Sequence, residues 1–239
     1  MKTDVQQLYA VRFGDTGLDK RHRVWRVLCE DFFNALVEPG GVVLDLACGY
    51  GEFIKNIRCA GKIAVDLNPD AQAQLDEGIR FFRAAATDLQ QIHDETVDTA
   101  FTSNFLEHLH SKDECDQVFD EVWRVLRPGG RFIVLGPNIK YAYREYWDYY
   151  DHVLPFSDLS VAEGLQQHGF AIERKVPRFL PYTMRGGLPS GNFLIRLYLR
   201  LPLAWRLFGK QFLVIAGKPQ GKSAARDPGA SRSRHEVTS

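Results

Sequence analysis

The chain has 239 residues, 45% of them hydrophobic, which is enough for one α/β domain with a substantial core. Its 30 basic and 30 acidic residues give a formal net charge of +0, so no whole-protein field draws in nucleic acid. The start, from Met1 to Asp4, lacks the apolar stretch of a secretory signal, and the four cysteines fit neither a metal nor a disulfide spacing; both point to reduced thiols in the cytoplasm.

Tyr9, Arg12 and Phe13 precede an amphipathic helix expected over 19–36, in which Val24, Trp25, Leu28, Phe32 and Leu36 recur at helical spacing. Residues 1–40 form this leader, 41–218 the main domain, and 219–239 a tail rich in Gly, Ser, Ala, Arg and Pro that is expected to be disordered.

The segment VLDLACGYG (43–51) is the most informative in the chain. An apolar run ends in Asp45, a small-residue loop follows, and an amphipathic stretch comes next, as in a strand turning tightly into a helix. Gly49 and Gly51 let backbone approach a ligand closely. The third glycine of a dinucleotide fingerprint is missing, and the acid precedes the loop, where a pyrophosphate would be repelled. A cofactor with an ammonium and no phosphate suits this pattern, and S-adenosylmethionine (SAM) fits.

A second strand, AVDLNP (64–69), ends in Asp66 about 20 residues further on, where a carboxylate can accept from ribose hydroxyls. ATDL (86–89) closes a third strand-like stretch, with Asp88 placed for an adenine amino group. A fourth strand over 97–104 runs into Phe105, Leu106, Glu107 and His108. A helix over 112–126 then leads through Arg127-Pro128-Gly129-Gly130 to a fifth strand over 131–135. Ser157 caps a helix that stops at Gly169; sixth and seventh strands follow over 170–176 and 212–216. The connection between those strands, 177–211, is far longer than a hairpin needs.

This ordered set resembles the class I SAM-dependent methyltransferases, through VLDLACGYG (43–51), AVDLNP (64–69), ATDL (86–89), SNFLEHL (103–109) and RVLRPGGRFIVLGPN (124–138). The resemblance implies a Rossmann-like α/β fold: a seven-stranded, mostly parallel sheet with a reversed last strand, helices on both faces and here a long helical insertion before the last strand. It implies SAM as cofactor, with S-adenosylhomocysteine as product. Asp45 and the loop Ala47, Cys48, Gly49 and Gly51 would hold the methionine end and Asp66 the ribose, with Leu67, Asp88 and Leu89 at the adenine and Ser103 and Asn104 completing the set. Ala47 stands where the family most often has glycine. Tyr9, Arg12 and Phe13 become candidates for a lid over the cofactor.

If that fold holds, 137–152 lies beside the transferred methyl, and its aromatics interleaved with acids suit a sugar. Asn138, Tyr141, Tyr146, Trp147 and Asp148 are the candidate substrate residues. An alcohol acceptor must lose its proton, so His152 with Asp151 alongside is the expected general base, and His108 is the alternative. Over the whole chain, DYYDHVLPFSDLS, PRFLPYT and GKQFLVIAGKP look like methyltransferases of bacterial glycan and secondary-metabolite pathways.

From Arg174 to Lys210 the basic residues are Arg174, Lys175, Arg178, Arg185, Arg196, Arg200, Arg206 and Lys210, with no acid among them. Within this tract 193–208 alternates large apolar residues with arginine, too charged for a membrane span. It suits a helical hairpin packed on the domain or on a second copy in a homodimer, a peripheral contact with the inner membrane surface, or a lid whose arginines hold a phosphate-bearing acceptor. The leading expectation is O-methylation of a sugar or glycan-precursor hydroxyl. The alternatives are a small metabolite, amine or phosphorus-containing acceptor, and a non-catalytic SAM-binding or membrane-associated scaffold. The acceptor tetrads of DNA methyltransferases are absent: the fourth strand ends Ser103-Asn104-Phe105-Leu106.

Overall fold

The central strands are buried almost without interruption, as in a sheet covered on both faces. The computed structural model describes residues 18–182 and 191–221. Its strands are β1 (Val42–Leu46), β2 (Gly61–Asp66), β3 (Ile79–Arg83), β4 (Val97–Ser103), β5 (Leu126–Pro137), β6 (Ala171–Val176) and β7 (Gln211–Gly217). They form one seven-stranded sheet in the order β3-β2-β1-β4-β5-β7-β6. β1 to β5 pair in parallel, and β7 runs antiparallel to both β5 and β6, so the expected reversed last strand is present.

The helices are α1 (Leu18–Asp31), α2 (Glu52–Asn56), α3 (Lys112–Val125), α4 (Ile139–Ala142), α5 (Asp158–Gln167), α6 (Asn192–Arg200) and α7 (Pro202–Phe208). Alternation along each strand splits the core in two. Leu44, Leu46, Val134 and Val214 face the α3 side, together with Val118, Phe119, Val122 and Leu165. Val43, Phe101, Ile133 and Leu213 face the opposite side, together with Trp25, Leu28 and Phe33 from the leader and Leu199 and Trp205 from the insertion. The leader helix is therefore part of the core. Tyr9, Arg12 and Phe13 lie outside the described residues.

Several boundaries differ from those expected. α1 ends at Asp31 and a 3-10 turn over Phe33–Leu36 takes its place. β3 stops at Arg83, which leaves Asp88 in a turn beyond the strand. β5 begins at Leu126: its pairing with β4 jumps from Val97–Leu126 to Thr99–Arg131, so the Arg127-Pro128-Gly129-Gly130 stretch bulges out of the ladder, with Gly129 at φ 82. α5 starts as expected, its Ser157 and Ser160 capping each other's backbone N–H.

The insertion leaves and re-enters the sheet through a narrow neck. Phe179 donates to the Gln211 carbonyl at 2.6 Å, while Lys210 and Gln211 donate to the Leu180 carbonyl at 2.8 and 2.9 Å. Pro202 divides the helical part into α6 and α7, because it removes an N–H that a continuous helix would use.

Candidate active site

β1 lies between β2 and β4, so the chain switches direction across the sheet at β1 and opens a crevice at the carboxyl ends of these strands. The β1–α2 loop is folded for close backbone approach: Ala47, Gly49 and Gly51 have φ of 56°, 57° and 75°. A Cβ on Gly51 would stand 2.3 Å from Leu75 Cδ2. Cys48 donates to the Val65 carbonyl, and Gly49 donates to Asp66 Oδ2 at 2.7 Å, so the loop is tied to the end of β2. Burial pushes the Cys48 thiol up, with Asp45 adding to the effect, and it lines the loop as a small neutral group.

Two buried carboxylates flank this loop. Asp45 is 2% exposed, and among the described residues its carboxylate accepts only from Ile54 N–H, at 3.3 Å. Burial raises its carboxyl well above the usual range, against the pull of that one hydrogen bond. Such a group is stabilised by an incoming cation, and the ammonium of SAM supplies one. Asp66 accepts from Gly49 and Asn68, one bond on each oxygen, and a carboxylate has about four acceptor sites. Acceptor capacity is left for ribose hydroxyls. Burial also raises Asp66, opposed by those N–H donors. The residues present fit SAM.

Leu67 and Asp88 are exposed at the rim, next to the places where β2 and β3 end. Ser103 is half-buried and Asn104 exposed, with Asn104 at φ 51 and its amide donating to Ser103 Oγ. Leu89 is different. Its side chain is wholly buried in the core, its N–H donates to Glu121 Oε2 at 2.7 Å, and its carbonyl accepts from Arg124. Leu89 is a packing residue here, not a contact for adenine.

The acceptor side also rearranges the expected roles. Asp151 is adjacent to His152 in sequence but pairs with His108: its Oδ2 lies 3.0 Å and its carbonyl 3.2 Å from His108 Nδ1. Both partners are acceptors, so Nδ1 carries hydrogen and the lone pair of the neutral ring falls on Nε2. Burial pulls the His108 imidazolium down, but the hydrogen bond to Asp151, aided by Glu107, more than reverses this, and the net direction is up. His152 is buried beside it, ring centroids 4.9 Å apart, stacked on Tyr149 and edge-on to Tyr146.

Asn138 and Tyr146, expected to meet substrate, belong to the scaffold. The Asn138 amide donates to Asp158 Oδ1 and the Pro177 carbonyl, both at 2.9 Å, and its oxygen caps α4 by accepting from Lys140. Tyr146 is fully buried, its hydroxyl donating to the Leu154 carbonyl. Tyr141, Trp147 and Asp148 are exposed and remain available.

Three features escaped the sequence. Glu107 is buried, and its carbonyl accepts from Val153 and Leu154, joining the β4 loop to the 137–152 segment. Glu107, His108 and His152 each offer one ligand atom, all within 4.8 Å of one another, a set that could hold a divalent cation. SNFLEHL contains the first two, but nothing local brings His152 to them. Arg21 on α1 reaches Glu52 at 2.7 Å, bracing the leader against the helix that follows the cofactor loop.

A family model described as a methyltransferase domain matches residues 44–134. No curated protein matches the chain. Among solved structures, a chain from the complex of the Haloferax volcanii Trm112 methyltransferase activator with a methyltransferase has a TM-score of 0.64 at 18% identity, covering 89% of this chain and 96% of that one. A SAM-dependent methyltransferase from Archaeoglobus fulgidus gives 0.62 at 19%, covering 90% and 100%. Geranyl diphosphate methyltransferase in complex with SAM gives 0.57 at 16%, covering 81% and 84%. These three share the fold, and the family match falls on the strands that build the cofactor loop. Residues 44–134 match a methyltransferase domain, set in the fold that SAM-dependent methyltransferases share.

Proposed function

We propose that the enzyme O-methylates a hydroxyl of a sugar or glycan precursor, with His108 as the general base and Asp151 as the group that orients it. The observation that carries this reading is the Asp151–His108 pair, joined at 3.0 Å between the loops that follow β4 and β5. Asp45 with the Ala47–Gly51 loop holds the methionine end of SAM, Asp66 the ribose, and Leu67, Asp88, Ser103 and Asn104 line the remaining rim. SAM held there would supply an electrophilic methyl, which the acceptor oxygen would take as the C–S bonding pair stays on sulfur. His108 Nε2 takes the hydroxyl proton, and Asp151 stabilises the imidazolium that results. Because the displacement is in-line, much of the rate comes from alignment. His152, Tyr141, Trp147 and Asp148 supply rings and a carboxylate for a polar organic acceptor.

A second acceptor class, small phosphorylated molecules, draws support from Arg178, whose guanidinium lies 4.8 Å over the Tyr141 ring. One structural neighbour acts on geranyl diphosphate, and another comes from a complex with an activator protein, which makes a protein activator a further partner class. The deciding experiment is mass spectrometry of products formed from methyl-labelled SAM with pooled nucleotide sugars and polyprenyl-linked glycans. Wild type is compared with His108→Ala, His152→Ala and Asp66→Ala. One methyl gained on a sugar, lost in His108→Ala and Asp66→Ala, is the expected result. No methylated sugar despite calorimetric SAM binding would reject the glycan acceptor, and full activity of His108→Ala would reject the base.

A further inference from the structure

The insertion presents two faces of opposite character. Its inner face is fastened to the domain: Trp205 packs against Phe179 at 5.0 Å and donates to the Tyr198 carbonyl, and the Tyr198 hydroxyl donates to the Phe179 carbonyl. Arg196 pairs with Glu30 on α1 at 2.9 Å. The outer face is bare. Phe193, Leu197, Leu201, Leu203, Leu207 and Phe208 are all exposed, Phe193 at 75% and Leu203 at 66%. Six large apolar side chains on one short hairpin are more than a soluble surface usually leaves in one place.

Arg200 and Arg206 are exposed on the same hairpin and have no anionic partner among the described residues. We propose that α6 and α7 dock this face on an anionic phospholipid surface, the leucines and phenylalanines entering the acyl boundary and the two arginines meeting headgroup phosphates. Charge selects lipid over a second copy. A two-fold dimer sets the same patch against itself, bringing Arg200 and Arg206 near their own equivalents, and the 174–210 tract contains no acid to neutralise them. Length selects lying over spanning: the nine residues of α6 rise about 14 Å against a hydrocarbon core of about 30 Å. No helix among the described residues is long and apolar enough to cross a membrane.

The aromatic segment meets the foot of the hairpin. Arg178 donates to the carbonyls of Leu207 and Gly209 at the foot of the hairpin while its guanidinium covers Tyr141, and Lys210 pairs with Glu145. Tyr143 and Tyr150 in the same segment are exposed, a ring type that favours the headgroup layer. The inference does not depend on which acceptor is methylated.

The test is flotation of the full chain with vesicles of phosphatidylcholine alone and of phosphatidylcholine mixed with phosphatidylglycerol. Wild type is expected to float with the mixed vesicles only. Leu203→Ser/Leu207→Ser should weaken binding by roughly tenfold or more, as expected for two leucines withheld from an apolar phase. Arg200→Ser/Arg206→Ser should weaken it and flatten its salt dependence. All four side chains are exposed, so melting temperature and SAM affinity should stay at wild-type values and separate lost docking from lost folding. Absence of flotation with either vesicle overturns the proposal, as does equal flotation with both. Concentration-dependent dimers in sedimentation, abolished by the leucine pair, would overturn it too and assign the face to a second copy.

Discussion

Arg21→Ala isolates the strut between the leader and the cofactor loop. The Arg21 guanidinium lies 2.7 Å from Glu52 Oε1, with side-chain exposures of 22% and 5%. Removing the arginine leaves a carboxylate where water barely reaches. Breaking a buried pair in this way costs about 3–5 kcal/mol. Two effects reduce this. Glu52 stands in the first turn of α2, where the helix dipole returns about 0.3–1 kcal/mol, and the fifth of Arg21 that is exposed lets water follow it out. The expected loss is about 2–4 kcal/mol, read from urea unfolding as a lower midpoint at unchanged slope. Arg21→Ala/Glu52→Gln removes the stranded charge and should recover a large part of that loss. A single-variant loss below about 0.5 kcal/mol, or singles that simply add in the double, would refute the strut.

Asp151→Asn should lower kcat by roughly 10²-fold or more if His108 is the base, and should also move the pH profile. Activity requires neutral His108, whose pKa Asp151 raises, so the wild-type rising limb lies above the ordinary imidazole range. Without the carboxylate the largest upward pull on His108 is gone, so the limb should move to lower pH, and an unmoved limb would count against the dyad. The same shift means that the pair stabilises the fold below the unfolded histidine pKa and loses that contribution as pH rises through the folded one. Exhaustive EDTA treatment should leave kcat unchanged, whereas a loss restored by Mn²⁺ would make Glu107, His108 and His152 a Lewis-acid site. Gly51→Ala forces a Cβ into φ 75° and against Leu75, and should weaken SAM binding by roughly tenfold in calorimetry.

The cofactor half of the site was legible because its determinants are local. A strand, an acid and two glycines within nine residues fix where the backbone turns, and Asp45, Gly49 and Gly51 stand together as that spacing predicts. The sheet was legible too, since buried parallel strands announce themselves as apolar runs. The acceptor half was not, because its contacts are non-local. Asp151 beside His152 in sequence suggested a pair, yet the chain turns there, and 43 residues separate Asp151 from its true partner. Asn138 and Tyr146 have the chemistry of ligand contacts, and only burial shows that their polar groups are spent on the scaffold. Leu89 followed an acid in a suggestive place and proved to be core.

The neck of the insertion has a consequence for how such a protein can vary. Backbone hydrogen bonds from Phe179, Lys210 and Gln211 close it at its base, so the chain between them begins and ends at one point on the sheet edge. Doubling the length of a loop closed in this way costs only about 0.6 kcal/mol. The segment is thus a cassette: its length and surface can drift or be exchanged between lineages while the strands that cradle SAM keep their register. Removal would uncover the rings that Trp205 covers, Phe32 and Phe179, and would also cost the Leu199 packing and the Arg196–Glu30 pair. The insertion and the cofactor cradle are in this way separable parts of one chain.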